Sequence, residues 1–428
     1  MTVTTETLRP LLVSFSEQAG GAARASQRLY SGLRASGIDA HMLVQSKSSR
    51  DPNIIGPTGK VARGMAALRP TLDQLPLFFT RKPIDQFMTG WLPDRIEHMA
   101  DQVGVNIINL HEIRKGNLRI ESLGRLTQPI VWTLHDLWAL TGGCHYDAGC
   151  GRYKNRCGNC PLLAGERERD LSRRVMQRKE NAWQETNLTV VAPSHWIANC
   201  ARQSTLLASL RIEVIPNGLN ITTYRPLAQR QARDWLGLPQ ERNLLLFLAV
   251  NAMSDRRKGF AQLQEALLRL RADSECGSIE LMVVGASARD AETEQPFPTH
   301  YLGHLHDDVA LALAYSAADI FVAPSLQDNL PNTVMEALAC GTPALAFDIG
   351  GMPDMIDHQV NGYLAEPRDA ASLAGGIRWL LTDRDRLLQL GSAARKAVET
   401  RFTVELQVER YSALYVELIN NSVRMREK

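Results

Sequence analysis

No apolar run in this 428-residue chain approaches the roughly 20 residues needed to cross a bilayer. The longest clean run, Leu244 to Val250, has the length of a strand. No secretory leader pattern stands at the start, so a cytosolic protein is expected, with peripheral contact to the inner membrane face left open. Internal repeats and low-complexity tails are absent. Net charge is scarce too: the formal value of +2 gives no footprint of a nucleic-acid partner. Cysteine is sparse, seven in all, and four of them crowd into Cys144–Cys160. In a cytosolic chain that clustering reads as a metal site rather than a disulfide set.

What is present is a soluble, globular composition, 22% charged and 44% hydrophobic. The length exceeds one ordinary core, so two domains are expected. Charge divides unevenly between them. Up to Pro216 there are 27 Lys and Arg against 19 Asp and Glu, and after it 21 against 27. A basic first half fits a phosphate-bearing substrate or acidic headgroups, and equally a solvated surface.

The first half alternates strand and helix. Leu11–Phe15 reads as a buried strand leading to Gly20-Gly21 and a helical pattern, an arrangement that cradles phosphates in nucleotide folds. Ala40–Val44 is a second strand. Lys47 to Pro93 mixes aromatics and basic residues, including Arg81 and Lys82, and is expected to form loops and short helices. Ile107–Leu110 ends in His111-Glu112, and Ile130–Leu134 ends in His135-Asp136. Carboxyl ends of parallel strands are where ligands bind. His111 is read as bonded to nearby backbone, and His135 as functional. Between Gly142 and Gly165 the spacing C-x5-C-x6-C-x2-C sets Cys144, Cys150, Cys157 and Cys160 as candidate ligands of a structural zinc, or else as free thiols. Arg152, Lys154 and Arg156 in that loop could face an anionic acceptor. Glu166–Trp183 is a charged helix, and Leu188–Ala192 and Ile212–Ile215 are strands. Pro216-Asn217-Gly218 marks the domain boundary.

The second half repeats the alternation. Leu244–Ala249 is a strand, followed by a polar loop with Arg256, Arg257 and Lys258 and by a helix over Phe260–Leu270. Basic residues directly after a strand suit a diphosphate. Ile279–Val284, Ile320–Ala323 and Ala344–Phe347 are further strands, and Asp307-Asp308 caps a helix. The stretch from Pro324 to Pro343 carries two acids eight positions apart. Asp328 lies in a turn. Glu336 lies about one turn into a helix expected to be capped by Asn332, because Pro331 cannot sit inside one. Carboxylates beside a helix N-terminus suit a ligand with both hydroxyls and phosphates.

Taken together, Gly20-Gly21, TLHD at Thr133–Asp136, the cysteine segment, PNG at Pro216–Gly218, RKG at Arg257–Gly259 and DNLPNTVMEALACGTP from Asp328 resemble family 4 of the retaining glycosyltransferases. The resemblance is to enzymes of exopolysaccharide synthesis, of the colanic-acid and cyanobacterial envelope type. It covers nearly the whole chain. It implies the GT-B fold: α/β, two Rossmann-like parallel-sheet domains facing a cleft. The acceptor domain would span residues 1–216, with a terminal helix over 402–428 packing back on it, and the nucleotide-sugar domain 217–401.

By position, the resemblance implies that Glu336 holds the ribose hydroxyls. Asp328 and the backbone of Asn329, Leu330, Pro331, Asn332 and Thr333 would hold the transferred sugar and the diphosphate. Lys258 with Arg257 would neutralise the leaving diphosphate, aided by the backbone of Gly20 and Gly21. Leu305 would pack on the base and His135 touch the donor sugar. The family's first acid is usually Glu, here Asp328. Its usual arginine six residues before the lysine is Ala252, so Arg256 or Arg257 has to replace it. The acceptor hydroxyl would approach from the leaving group's own face, with no carboxylate nucleophile. No metal cofactor is required for the reaction. UDP- or GDP-linked donors are expected, with a polysaccharide or lipid-diphosphate-linked acceptor. A nucleotide-sugar epimerase of the same fold and a non-catalytic carbohydrate-binding protein are the alternatives.

Overall fold

The structure, a computed structural model, describes residues 4–80, 87–163, 167–249, 255–271, 278–287 and 295–426. Arg81, Lys82, Glu166 and Ala252 lie outside the described residues. The chain forms two compact units, one of Met1–Pro216 with Val404–Lys428 and one of Asn217–Thr403.

The first unit has seven parallel strands: β1 (Pro10–Val13), β2 (His41–Leu43), β3 (Ile54–Ile55), β4 (Ile107–Leu110), β5 (Ile130–Thr133), β6 (Leu188–Ala192) and β7 (Arg211–Val214). Their order is β3-β2-β1-β4-β5-β6-β7. Strands β1, β4, β5 and β6 are buried along their whole length, as near-continuous apolar runs covered on both faces should be. Its helices are α1 (Gly21–Ala35), α2 (Lys60–Asp73), α3 (Ile96–Val103), α4 (Leu171–Trp183) and α5 (His195–Arg202). The expected charged helix starts at Leu171, not Glu166, because Asp170 caps it by accepting from the Arg173 N–H at 3.1 Å. Lys47 to Pro93 holds β3 and the 14-residue α2, which accommodates Pro70 in its last turn.

The second unit has six parallel strands: β8 (Asn243–Leu248), β9 (Ile279–Val284), β10 (Thr299–Tyr301), β11 (Ile320–Ala323), β12 (Ala344–Phe347) and β13 (Gly362–Ala365), in the order β10-β9-β8-β11-β12-β13. Helices α6 (Gln229–Leu236), α7 (Phe260–Arg271), α8 (Asp308–Ala317), α9 (Asn332–Ala339), α10 (Ala370–Leu381) and α11 (Arg384–Arg401) cover it. Separate hydrophobic clusters fill its two sides, one around Tyr315, Phe321 and Met335 and one around Phe247, Phe260 and Leu373. Helix α12 (Val404–Arg426) then returns to the first unit. Val408, Tyr411, Leu414, Tyr415, Leu418 and Ile419 pack there with Leu29, Leu33 and Met42. The Tyr415 hydroxyl takes an N–H from Asn109 at 2.6 Å, and Tyr411 pairs with Thr133 at 2.9 Å.

In each unit the strand order reverses once between two neighbouring strands, β1 and β4 in the first, β8 and β11 in the second. Loops leaving the carboxyl ends of such a pair diverge and open a crevice.

Candidate active site

The crevice of the second unit is built from the loops after β8 and β11. The Leu326 N–H donates to the Arg257 carbonyl at 2.8 Å and ties them together. Gly259 has φ +74°, and a Cβ there would run into the Pro324 carbonyl oxygen. Gly350, φ +58°, lies against the Asp328 carbonyl in the same way. Both glycines let backbone close around the Asp328 turn. Lys258 Nζ stands 2.6 Å from Asp328 Oδ2, and Arg257 stands 3.3 Å from the same oxygen. The Asn329 N–H donates to Oδ1 at 3.1 Å. Burial alone would raise the Asp328 carboxyl, but Lys258, Arg257 and that N–H outweigh it and hold it below the usual carboxylate range.

Lys258 and Arg257 thus share one buried carboxylate, and Arg257 also meets Asp255 at 3.3 Å, so cations and acids stand paired beside the switch point. That arrangement can bind an anion bearing hydroxyls. Arg257 also donates to the Gln327 carbonyl at 3.1 Å, whereas Arg256 is exposed and takes no part in these contacts. Of the two arginines weighed as replacements at this loop, Arg257 is the one drawn to Asp328.

Helix α9 begins at Asn332, but its N-cap is Pro331, in extended conformation. The expected Asn332 cap is therefore corrected: its side chain instead meets Asn217 Nδ2 at 3.4 Å. Glu336 is buried, 2% exposed, and accepts from the Tyr315 hydroxyl at 3.0 Å. Asn329 and Leu330 are buried, and Leu330 belongs to the core. Pro331, Asn332 and Thr333 are half-buried. Leu305 packs partly buried against the same core, beyond β10. Tyr315 is a residue that sequence reasoning missed, since nothing in α8 distinguishes it from an ordinary core tyrosine.

In the first unit, β1 leads through a loop to Gly20, the N-cap of α1, and to Gly21. Glu17 in that loop is buried and accepts from the Ser48 and Ser49 N–H groups at 2.7 and 2.9 Å. Beside it, His111 follows β4 and His135 follows β5. The expected backbone partner of His111 is corrected: its Nδ1 lies 2.9 Å from His135 Nε2, and the rings stack with centroids 5.2 Å apart. Burial, the largest influence, drives His135 down to about 4, and His111 is likewise held well below the usual histidine value. Both are neutral at pH 7. Arg114 binds Glu112 and Asp136, each at 2.9 Å, and contacts His145 in the cysteine loop.

Cys144, Cys150, Cys157 and Cys160 all line one cavity of about 10 Å³, room for one small particle. The Gly142 N–H points at Cys157 Sγ, 3.2 Å away. Arg156, Cys157, Gly158 and Asn159 run consecutively at positive φ, forming the tight bend expected around Gly158. Yet among the described residues no group of three or more His, Cys, Asp or Glu is arranged to hold a metal ion. The loop has the zinc donor set without the ligand geometry. Two of its basic residues are engaged internally, Arg152 with the Gly158 carbonyl at 3.1 Å and Arg156 with Glu180 at 2.6 Å. The Lys179 ammonium, buried beneath the loop, donates to the Trp138 carbonyl and, at 2.8 Å, to that of Thr141.

The sequence matches two family models, Glycosyltransferase Family 4 over residues 19–223 and Glycosyl transferases group 1 over residues 244–383. A curated relative, D-inositol 3-phosphate glycosyltransferase of Thermobispora bispora, is 28% identical over 221 residues, 49% of this chain and 51% of that protein. The alignment thus spans about half the length of that relative. Among solved structures, sucrose-phosphate synthase from Thermosynechococcus elongatus superposes with a TM-score of 0.69 at 20% identity, covering 97% of this chain and 100% of the other. Anabaena HepE in complex with UDP and glucose gives 0.63 at 17% identity, covering 95% and 99%. At such identities the likeness concerns the fold.

Proposed function

The chain belongs to the glycosyltransferases of the GT-B type, family 4 in its first half and group 1 in its second, and from that premise we propose that it transfers a sugar from a UDP- or GDP-linked donor to a growing polysaccharide or lipid-diphosphate-linked oligosaccharide, with retention at the anomeric carbon. One observation carries the reading: Lys258 and Arg257 converge on Asp328 at the switch point of the second sheet. HepE, a neighbour in fold, binds UDP and glucose.

Breaking a sugar–phosphate bond builds negative charge on the departing diphosphate. Lys258 and Arg257 would leave Asp328 in part to meet it, and the first turn of α9 would add its N–H groups. Asp328, freed from one cation, would accept from a sugar hydroxyl, and Glu336 from the ribose. His135 would touch the sugar, and the backbone at Gly20 and Gly21 the phosphates. Leu305 would cover the base. Without a carboxylate nucleophile, the acceptor hydroxyl attacks from the leaving group's face and passes its proton to the phosphate.

The test is turnover of a nucleotide-sugar panel with and without oligosaccharide acceptor, following product configuration by NMR. Transfer with retention is expected, at least about 100-fold slower in Lys258→Ala. Epimerised nucleotide-sugar formed without acceptor would replace this reading with the epimerase, and an inert protein with the binding module.

For the cysteine loop we propose a structural zinc, supported by four thiols lining one cavity. Side-chain rotation would have to bring them into ligand geometry. About one zinc per chain in reduced protein is expected, and less than about 0.1 would reject it.

A further inference from the structure

We propose that His111 is a positioning residue: it donates its Nδ1–H to His135 Nε2, and so fixes His135 in the tautomer that presents an Nδ1–H to a bound ligand. The inference rests on the reading of His135 as a ligand contact.

The two imidazoles are 2.9 Å apart, nitrogen to nitrogen, and neither carries charge at neutral pH, so one must donate and the other accept. Which one donates follows from the far side of His111. Its Nε2 is buried and has no protein partner. A proton placed there would be an unmet donor, rarer and costlier in protein interiors than an unmet lone pair. The proton of His111 therefore sits on Nδ1. His135 then accepts at Nε2 and carries its own proton on Nδ1. No described residue takes that Nδ1, and it is not among the buried unpaired atoms, so a ligand can reach it.

The surroundings hold this arrangement. Parallel pairing of β4 with β5 sets Leu110 opposite Trp132, which brings the two strand ends level. The neighbouring carboxylates are occupied elsewhere: Arg114 takes Glu112 and Asp136, and Lys115 also holds Glu112 at 3.1 Å. Neither acid competes for an imidazole proton. A donor on His135 suits an oxygen of the sugar or phosphate of the proposed substrate, whereas the opposite tautomer would present a lone pair.

Long-range proton–nitrogen correlation spectra of histidine-labelled protein read the tautomers without any need for turnover. In the wild type, His135 should carry its proton on Nδ1. His111→Phe should mix or invert that state and lower kcat/KM for donor at least about tenfold. His111→Asn, whose amide N–H stands where Nδ1–H stood, should keep the tautomer and recover most of the rate. A proton on His135 Nε2 in the wild type overturns the proposal, as does a His111→Phe protein unchanged in both tautomer and kinetics. Should no nucleotide-sugar be turned over by the wild type, the functional reading fails while the tautomer is still measured.

Discussion

At the scale of single residues, the chemistry depends on where charge is held and where it is kept away. Asp328 keeps two cations poised, and the histidine pair stays neutral. The histidines have a consequence for stability. Histidine in the unfolded chain ionises near its ordinary value of about 6.5, whereas burial holds His135 to about 4 in the folded protein. Between these values the unfolded state binds more protons. Stability contributed by neutral His135 is therefore complete above about pH 6.5 and declines as pH falls toward 4. In urea denaturation the gap between wild type and His135→Gln should narrow from pH 7 to pH 4; a constant gap would contradict the assignment. The placement of the acids, the basic loop and His135 at strand ends or beside a helix start was legible in the sequence, while their roles belong to the proposal. Tyr315 was not, since its bond to Glu336 depends on α8 and α9 lying together. Nor was the His111 contact, which depends on strand register.

At the scale of elements, buried strands read well. Ile107–Leu110, Leu188–Ala192, Ile279–Val284, Ile320–Ala323 and Ala344–Phe347 have the expected bounds, because a strand covered on both faces is a largely apolar run. The edge strands β3, β10 and β13 were missed, being short and only partly buried. Helix α2 was hidden by Pro70 and Gly64. The terminal helix carries large energetic weight in its unit. Its six buried apolar side chains, at roughly 1.5–3 kcal/mol each, match the whole stability of an ordinary domain. A chain ending at Thr403 should lose the cooperative transition of the first unit in calorimetry. The milder Tyr415→Phe, which leaves Asn109 Nδ2 without its acceptor, should cost about 1–3 kcal/mol. A full-length thermal profile in the truncated chain would contradict this.

At the scale of the molecule, each unit has one point where strand order reverses, with neutral imidazoles near the first and paired charges at the second. The division between basic and acidic halves agrees with the two units in sequence but not with the proposed chemistry, since Lys258 and Arg257, the cations proposed to meet the diphosphate, lie in the acidic half. Local placement at a strand end therefore outranks net charge as a guide to function here. The measurement that tests this most directly is isothermal titration of the full chain with UDP and GDP, in wild type and Lys258→Ala. One of the two nucleotides should bind the wild type, and the substitution should weaken it about 10- to 100-fold, the loss of one charge-assisted hydrogen bond of about 1.5–3 kcal/mol. Equal binding by both proteins would contradict the claim that Lys258 receives the departing diphosphate.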